Sequence, residues 1–198
     1  WEENFGPTDF SFDRGDVHYV CINNCFFHRG MSYYSPGELR ERQVKWLKQN
    51  LALTPKDKKV VLCYHIPFTF GNAPFSKAKP LTNANEEGHY SSSRLSLLLS
   101  LLKPFKGGYE LFCGHTHFAC NHEINYEGED VMEHCHAAAC GNIWQSNINI
   151  CGTPNGYYVY SFVGTSISNC YYKGTFWDKS KQMTIFRAQT DFNGEKYA

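Results

Sequence analysis

The chain contains three short apolar runs, which are typical of buried β-strands. They lie at 16–23, 58–64 and 109–113. The middle run, Val60-Val61-Leu62-Cys63-Tyr64, is continuously apolar, as in a strand covered on both faces. The three runs therefore predict three strands, and the second and third both end abruptly at polar residues.

Two segments between these runs have helix signals. Ser35-Pro36-Gly37-Glu38 has the spacing of a capping box, which predicts a helix that begins there and ends near residue 52. A second helix is predicted from the serines at 91–93 to about Leu102. The segment between them, 69–90, is rich in Gly, Pro, Asn and Ser and is predicted to be a long active-site loop.

The last third of the chain has the pattern of short strands separated by Gly and Asn. Residues 118–126 and 130–140 predict a hairpin that turns at Glu127-Gly128. Further strands are predicted near 156–163, 166–173 and 182–188. The predicted fold is α/β with α+β character, namely β-α-β-α-β followed by an antiparallel β block, in one domain.

Composition and charge exclude several classes of partner. The 198 residues are 42% hydrophobic, which is enough for a sizeable core. The 19 Lys+Arg balance the 19 Asp+Glu without a run of like charge, so no nucleic-acid partner is expected. The longest apolar runs are far shorter than the roughly 20 residues of a membrane span, so none is expected.

The beginning of the chain and its cysteines leave the cellular location open. The first residues contain neither an initiator Met nor the basic and apolar regions of a signal peptide, so a processed or excised piece is expected. Nine cysteines are an odd number and contain no C-x-x-C pair. Those within apolar strands are interpreted as small hydrophobic residues, with a disulfide framework as the alternative.

Histidines follow two of the predicted strands. His65 comes directly after the 58–64 strand, and His115 and His117 follow the 109–113 strand. Ligand sites in open α/β sheets lie at the carboxyl ends of strands, and imidazole is a ligand for Zn, Fe, Ni or Mn. The sequence thus predicts that three imidazoles converge at one rim of the sheet. The alternative is that they are ordinary loop and strand-end histidines.

The order of these motifs resembles the calcineurin-like metallophosphoesterases. The resemblance consists of an apolar strand with His65-Ile66-Pro67, a helix, and a second apolar strand with Gly114-His115-Thr116-His117. Further similar segments are Phe5–Thr8, Phe10–Tyr19, Gln43–Leu47, Gly152–Tyr157 and Tyr171–Lys173. The last two resemble a multidomain branch that is common in gut Bacteroidetes.

The resemblance implies a partial α/β/β/α sandwich that hydrolyses a small phosphoester at a dinuclear centre of two divalent ions, Mn, Fe or Zn. His65 and His115 would be ligands of one metal, and His117 of its neighbour. The chain contains no Gly-Asn-His motif of the family. Residues 1–198 are therefore expected to be the C-terminal part of one catalytic domain, with the other ligands and the family's catalytic histidine upstream.

Such a fragment is expected to be inactive alone. It would expose a sheet edge and an apolar face, which the missing N-terminal half or self-association would cover. Two alternatives remain, a catalytically inactive binding or scaffold module and a mononuclear zinc hydrolase that uses the three histidines. Export to the periplasm would be in keeping with the family, and the substrate's identity stays open.

Two other histidine motifs receive different interpretations. Asp16-Val17-His18 spells a metal-binding Asp-x-His, but it comes before an apolar strand rather than after one. It is interpreted as structural, with metal contact by Asp16 or His18 as the alternative. His134 and His136 have strand spacing, which points both side chains to one face. The resemblance makes His136 a candidate substrate-binding residue, with a hydrogen-bonded pair as the alternative. The aromatic surplus, including Trp144 and Tyr157, is interpreted as core packing.

Overall fold

The computed structural model describes residues 2–27, 34–36, 39–68, 92–140, 146–149 and 151–185. The elements in chain order are α1 (Glu2–Phe5), β1 (Phe10–Arg14), β2 (Val17–Cys21), β3 (Cys25–Phe27), β4 (Tyr34–Pro36), α2 (Glu41–Leu53), β5 (Lys59–Cys63), α3 (Ser92–Leu102), β6 (Tyr109–Cys113), β7 (Cys120–Tyr126), β8 (Glu129–Cys135), β9 (Gly156–Val163) and β10 (Ser166–Gly174).

A six-stranded sheet in the order β1-β2-β5-β6-β8-β7 organises these elements. Strands β2, β5, β6 and β8 run parallel. Parallel neighbours need crossover connections, and α2 and α3 provide them for β2-β5 and β5-β6. Strands β1 and β7 close the two edges by antiparallel pairing. The predicted α/β fold with α+β character is confirmed. The two strands that precede the candidate histidines, β5 and β6, are neighbours in the sheet.

The predicted hairpin at 118–140 forms, but it belongs to the main sheet. It turns at Glu127 and Gly128, whose φ angles of 51° and 85° suit the two-residue turns typical of hairpins. Strand β8 also pairs parallel with β6, through Leu111 and Glu133. The described strands after β8 are β9 and β10, which pair antiparallel in a sheet of their own.

The core lies between the sheet and the two crossover helices. Val60, Val61 and Leu62 in β5 are all 0% exposed, so both faces of this strand are buried. The helices contribute the leucines of their inward faces, namely Leu47, Leu51, Leu95, Leu98, Leu99 and Leu102. Cys113, Cys120 and Cys135 are buried thiols at one end of the same core, which agrees with their interpretation as small hydrophobic residues.

The opposite face of the sheet is covered by the β9–β10 hairpin. Tyr160 stacks on Phe112 with 4.5 Å between ring centroids. Phe162 meets the edge of Tyr19 at 6.3 Å. Toward the β1 edge this face still presents Phe12, which stacks on Tyr19 and is 47% exposed.

The predicted start of the first helix is wrong. Residues 34–36 form β4, where Pro36 pairs with Cys25, and α2 begins at Glu41. Pro is tolerated at such a position because this two-stranded sheet consists only of edges. The helix start is instead marked by Gln43, whose Oε1 accepts the Arg40 N–H at 2.9 Å.

Two other predictions fall largely outside the described residues. The 69–90 loop lies outside them completely. Of the strand predicted near 182–188, residues 182–185 are described and are not part of a strand. No helix in the described part of the chain is long and apolar enough to cross a membrane.

We predict that Leu62→Ala lowers the free energy of unfolding by about 2–5 kcal/mol, because it leaves a cavity where both sides of the strand are packed. The matched control is Leu53→Ala at the end of α2, where the side chain is 87% exposed and a change within about 0.5 kcal/mol is expected. Urea denaturation of both variants measures the difference. Equal losses would contradict the assignment of β5 to the core.

Candidate functional site

The carboxyl ends of the four parallel strands meet at one rim of the sheet. Asn24, His65, His115 and His136 lie just beyond the ends of β2, β5, β6 and β8 respectively. Backbone pairing continues past the strands there, since the Gly114 N–H donates to the His65 carbonyl at 2.9 Å. The topology therefore brings polar side chains from four separate segments to one edge.

The structure places His65 and His115 in direct contact. Nδ1 of His115 lies 3.2 Å from Nε2 of His65, and the ring planes are 80° apart. Two nitrogens that bind one ion at about 2.1 Å with an angle between tetrahedral and octahedral are about 3.0–3.4 Å apart. The separation of this pair is that of a hydrogen bond between the rings, and it also fits ligation of a common ion.

The rest of a ligand shell is not assembled in the same way. Among the described residues, no group of three or more His, Cys, Asp or Glu side chains is arranged to hold a metal ion. His117 lies close enough for its charge to affect both His65 and His115. The described chain thus offers one pair of facing nitrogens with a third imidazole nearby.

The environment favours the neutral form of the paired imidazoles. Partial burial of its ring lowers the pKa of His65, and the neighbouring His117 lowers it further. Burial also lowers the pKa of His115, followed by the effects of His65 and His117. A neutral imidazole keeps the lone pair that metal binding requires.

The Gly114–His117 loop has an unusual backbone. His115 and His117 have φ angles of 73° and 61°, in the left-handed region that costs a residue with a side chain about 1–2 kcal/mol. The loop is held from below by Cys135, whose Sγ donates to the Gly114 carbonyl at 2.8 Å and lies 3.0 Å from Thr116 Oγ1. Strain of this kind is concentrated at functional sites in proteins.

His18 lies at the opposite end of the sheet. Its Nδ1 is 2.7 Å from Asp13 Oδ1, and its Nε2 is 2.9 Å from Asn50 Oδ1. The hydrogen bond from His18 holds the pKa of Asp13 below its usual value. Asp16 is in the turn before β2, where its carbonyl accepts the Lys59 N–H. The Asp-x-His motif therefore ties β1 and α2 together, far from the rim.

His134 and His136 share one face, as their spacing predicts. Both rings contact Phe112, with centroid distances of 5.4 and 5.2 Å. His134 hydrogen-bonds to Asn121 across the hairpin at 2.9 Å. His136 lies 2.8 Å from the Tyr160 hydroxyl through its Nε2.

Two cavities of about 440 and 480 Å³ lie under the β9–β10 hairpin, and His136, Tyr158 and Tyr160 line both. The larger one extends to Tyr64 and Gly114, the residues next to His65 and His115. A substrate-binding role for His136 stays a prediction. The prediction that Tyr157 packs in the core is wrong, because this residue is 53% exposed. Trp144 lies outside the described residues.

Two buried polar residues at this rim, Asn24 and Glu133, are not among the site residues that the sequence predicts. Both are 0% exposed, and both hydrogen-bond to the backbone of the segment that contains His65. A signal was present for each. Asn24 follows a predicted strand just as the histidines do, and Glu133 is an acidic residue at an inward-facing position between Val131 and Cys135.

Residues 133–198 match the family described as the C terminal of calcineurin-like phosphoesterase. The resemblance to this family is thereby confirmed in the last third of the chain, which contains β9 and β10. The match does not extend to His65, His115 and His117. No curated protein matches the chain, and the narrower assignment to a Bacteroidetes branch stays a prediction.

We predict that the His117→Gly variant is more stable than the His117→Ala variant, by about 1 kcal/mol in the free energy of unfolding. Both substitutions remove the imidazole, but only Gly relieves the left-handed φ of 61°. Urea denaturation of His117→Gly and His117→Ala measures this difference. A variant pair in which Ala equals or exceeds Gly would show that the loop is not held in this conformation.

We also predict an acid-sensitive contribution from His136. Burial and the neighbouring His134 lower the pKa of His136 to about 4, from about 6.5 in an unfolded chain. The unfolded chain therefore binds a proton that the folded chain excludes, and stability falls as the pH decreases from about 6.5 to about 4. The loss reaches up to about 3 kcal/mol.

The measurement is the free energy of unfolding at pH 7.5 and pH 4.5, for the parent and for His136→Gln. Groups that do not interact with His136 are the same in both proteins, so the difference reports His136 together with its interaction with His134. The variant should lose less stability than the parent on acidification. Parallel losses would mean that His136 is as accessible to protons in the folded chain as in the unfolded one.

Proposed function

We propose that this chain contributes part of the active site of a metal-dependent phosphoester hydrolase. His65 and His115 would hold one divalent ion, and His117 its neighbour. The main support is the 3.2 Å separation of two neutral imidazole nitrogens at the rim of the parallel sheet. The family match supports the phosphoesterase class.

The chain's own residues would bind and orient. The lowered pKa values of His65 and His115 keep their lone pairs available at neutral pH. His115 and His117 place two imidazoles on one short loop with a left-handed backbone, just beyond β6. Ions of Mn, Fe or Zn would supply Lewis acidity toward phosphoryl oxygens and make an attacking water more acidic. The aromatic cavity beside the rim, with His136 in its wall, would receive the organic group of a small phosphoester.

The proposal requires ligands beyond these three histidines. Split between two ions, the three imidazoles leave each ion short of ligands, and no carboxylate among them offsets the repulsion between two cations. We propose that a segment outside residues 1–198 supplies these ligands and the catalytic histidine. The aromatic surface at Phe10 and Phe12, which are 43% and 47% exposed, would be covered by that segment.

In the full-length protein, we predict that His65→Ala and His117→Ala each lower kcat/KM for an aryl phosphate by at least about 100-fold, because a metal ligand is lost while the core is untouched. Circular dichroism should show that both variants remain folded. The matched control is His18→Gln, which alters a buried histidine at the opposite end of the sheet. It should destabilise the fold without lowering turnover per folded molecule.

Metal analysis of the same preparations separates the alternatives. Two ions per protein, reduced in the His65 and His117 variants, are expected from a dinuclear centre. One ion would favour the mononuclear zinc hydrolase. A parent protein that binds no divalent metal and hydrolyses neither phosphomonoesters nor phosphodiesters would overturn the proposal in favour of a binding or scaffold module.

A further inference from the structure

Three hydrogen bonds join the Asn24 side chain to the backbone of His65 and Ile66. Its Oδ1 accepts the N–H groups of His65 and Ile66 at 3.1 and 3.0 Å, and its Nδ2 donates to the Ile66 carbonyl at 2.7 Å. These contacts begin where the backbone ladder between β2 and β5 stops. The Asn24 carboxamide has the donor and acceptor groups of a peptide unit, and it pairs with the backbone after β5 where β2 no longer does.

Glu133 binds the same segment from the other side. Its Oε1 accepts the Tyr64 hydroxyl at 2.5 Å and the Phe68 N–H at 2.8 Å. The residue is fully buried in β8, two strands away from β5. A buried carboxylate is costly unless it receives hydrogen bonds, so its donors are strongly constrained in position.

Neither residue contacts the imidazole of His65 through these bonds. Asn24, however, fixes the peptide groups immediately before and after it. Glu133 fixes the Tyr64 side chain and the Phe68 N–H on either side of the same segment. The Gly114 N–H adds a third restraint, on the His65 carbonyl, from the strand that bears His115. The segment from Tyr64 to Phe68 is therefore held by β2, β6 and β8 at once.

We infer that Asn24 and Glu133 are positioning residues that hold His65 in register with His115. This inference rests on the proposed function for its consequence in metal binding, but its geometric part does not. A ligand side chain that is displaced by about 1 Å binds its metal ion much more weakly. Residues that orient ligands contribute about 10- to 100-fold in metal affinity.

The first test needs no metal. Cross-relaxation between the ring protons of His65 and His115 is measured by NMR in the parent, in Asn24→Ala and in Asn149→Ala. Asn149 is also a buried Asn, and its side chain bonds to Thr153 and Pro154 rather than to the Tyr64–Phe68 segment, so it controls for general destabilisation. We expect Asn24→Ala to weaken the ring contact and to speed amide exchange at His65 and Ile66. The control should do neither.

The second test is a double-mutant cycle on zinc affinity in the full-length protein. Asn24→Ala should weaken zinc binding by about 10- to 100-fold in the parent but have little further effect in His65→Ala, because it acts through that residue. Glu133→Gln, which keeps an acceptor oxygen, should retain more affinity than Glu133→Ala. If Glu133→Ala does not fold, it is replaced in the experiment by Tyr64→Phe, which removes one of the two donors to Glu133.

A ring contact of parent strength in Asn24→Ala would overturn the inference while leaving the proposed function intact. An equal loss of zinc affinity in both backgrounds would overturn it as well, because Asn24 would then act independently of His65. A weakened ring contact in a protein that binds no zinc would uphold the positioning role and count against the proposed function.

Discussion

Strand β5 has no exposed side, and its backbone groups must therefore pair with a strand on each edge. Its neighbours β2 and β6 run parallel to it, so each connection has to cross the sheet. The crossovers α2 and α3 cover one face, and β9 and β10 cover part of the other. Alignment of the carboxyl ends at one rim follows directly from this arrangement.

The rim gathers polar groups because the backbone ladder ends there. The N–H groups of His65, Ile66 and Phe68 lie beyond the last ladder pair, and those of the buried residues Ile66 and Phe68 need acceptors within the protein. Asn24 and Glu133 supply them. The hydrogen bonds that satisfy these backbone groups are therefore the same ones that would hold His65 in place. The strained loop of His115 and His117 is similarly held by contacts to β8.

The second face of the sheet has two regions with different character. Near the rim, Tyr160 covers Phe112, and the cavities with His136 lie between the sheet and the hairpin. Near the β1 edge, Phe10 and Phe12 remain largely exposed. The family match falls on the hairpin region, whereas the paired histidines are contributed by the parallel strands that precede it. The candidate site thus lies where these two parts of the chain meet.

The sequence by itself determined the strands and helices whose signals are local. The apolar run at Val60–Tyr64 and the turn at Glu127-Gly128 predict their structures because burial on two faces and a positive φ each require particular residue types. The same reasoning was wrong at Ser35, where pairing with β3 replaced a local capping signal. The same reasoning wrongly placed β7 and β8 outside the main sheet, because the parallel pairing of β8 with β6 leaves no local pattern in the sequence.

For the site, the sequence determined which residues follow the strand ends, so His65, His115 and His117 could be named. Only the tertiary structure decided the 3.2 Å contact between His65 and His115, because it depends on the register between β5 and β6. Asn24 and Glu133 were likewise decided by the fold. Their role is to accept hydrogen bonds from residues 41 to 69 positions away, and such pairings exist only once the sheet has closed around β5.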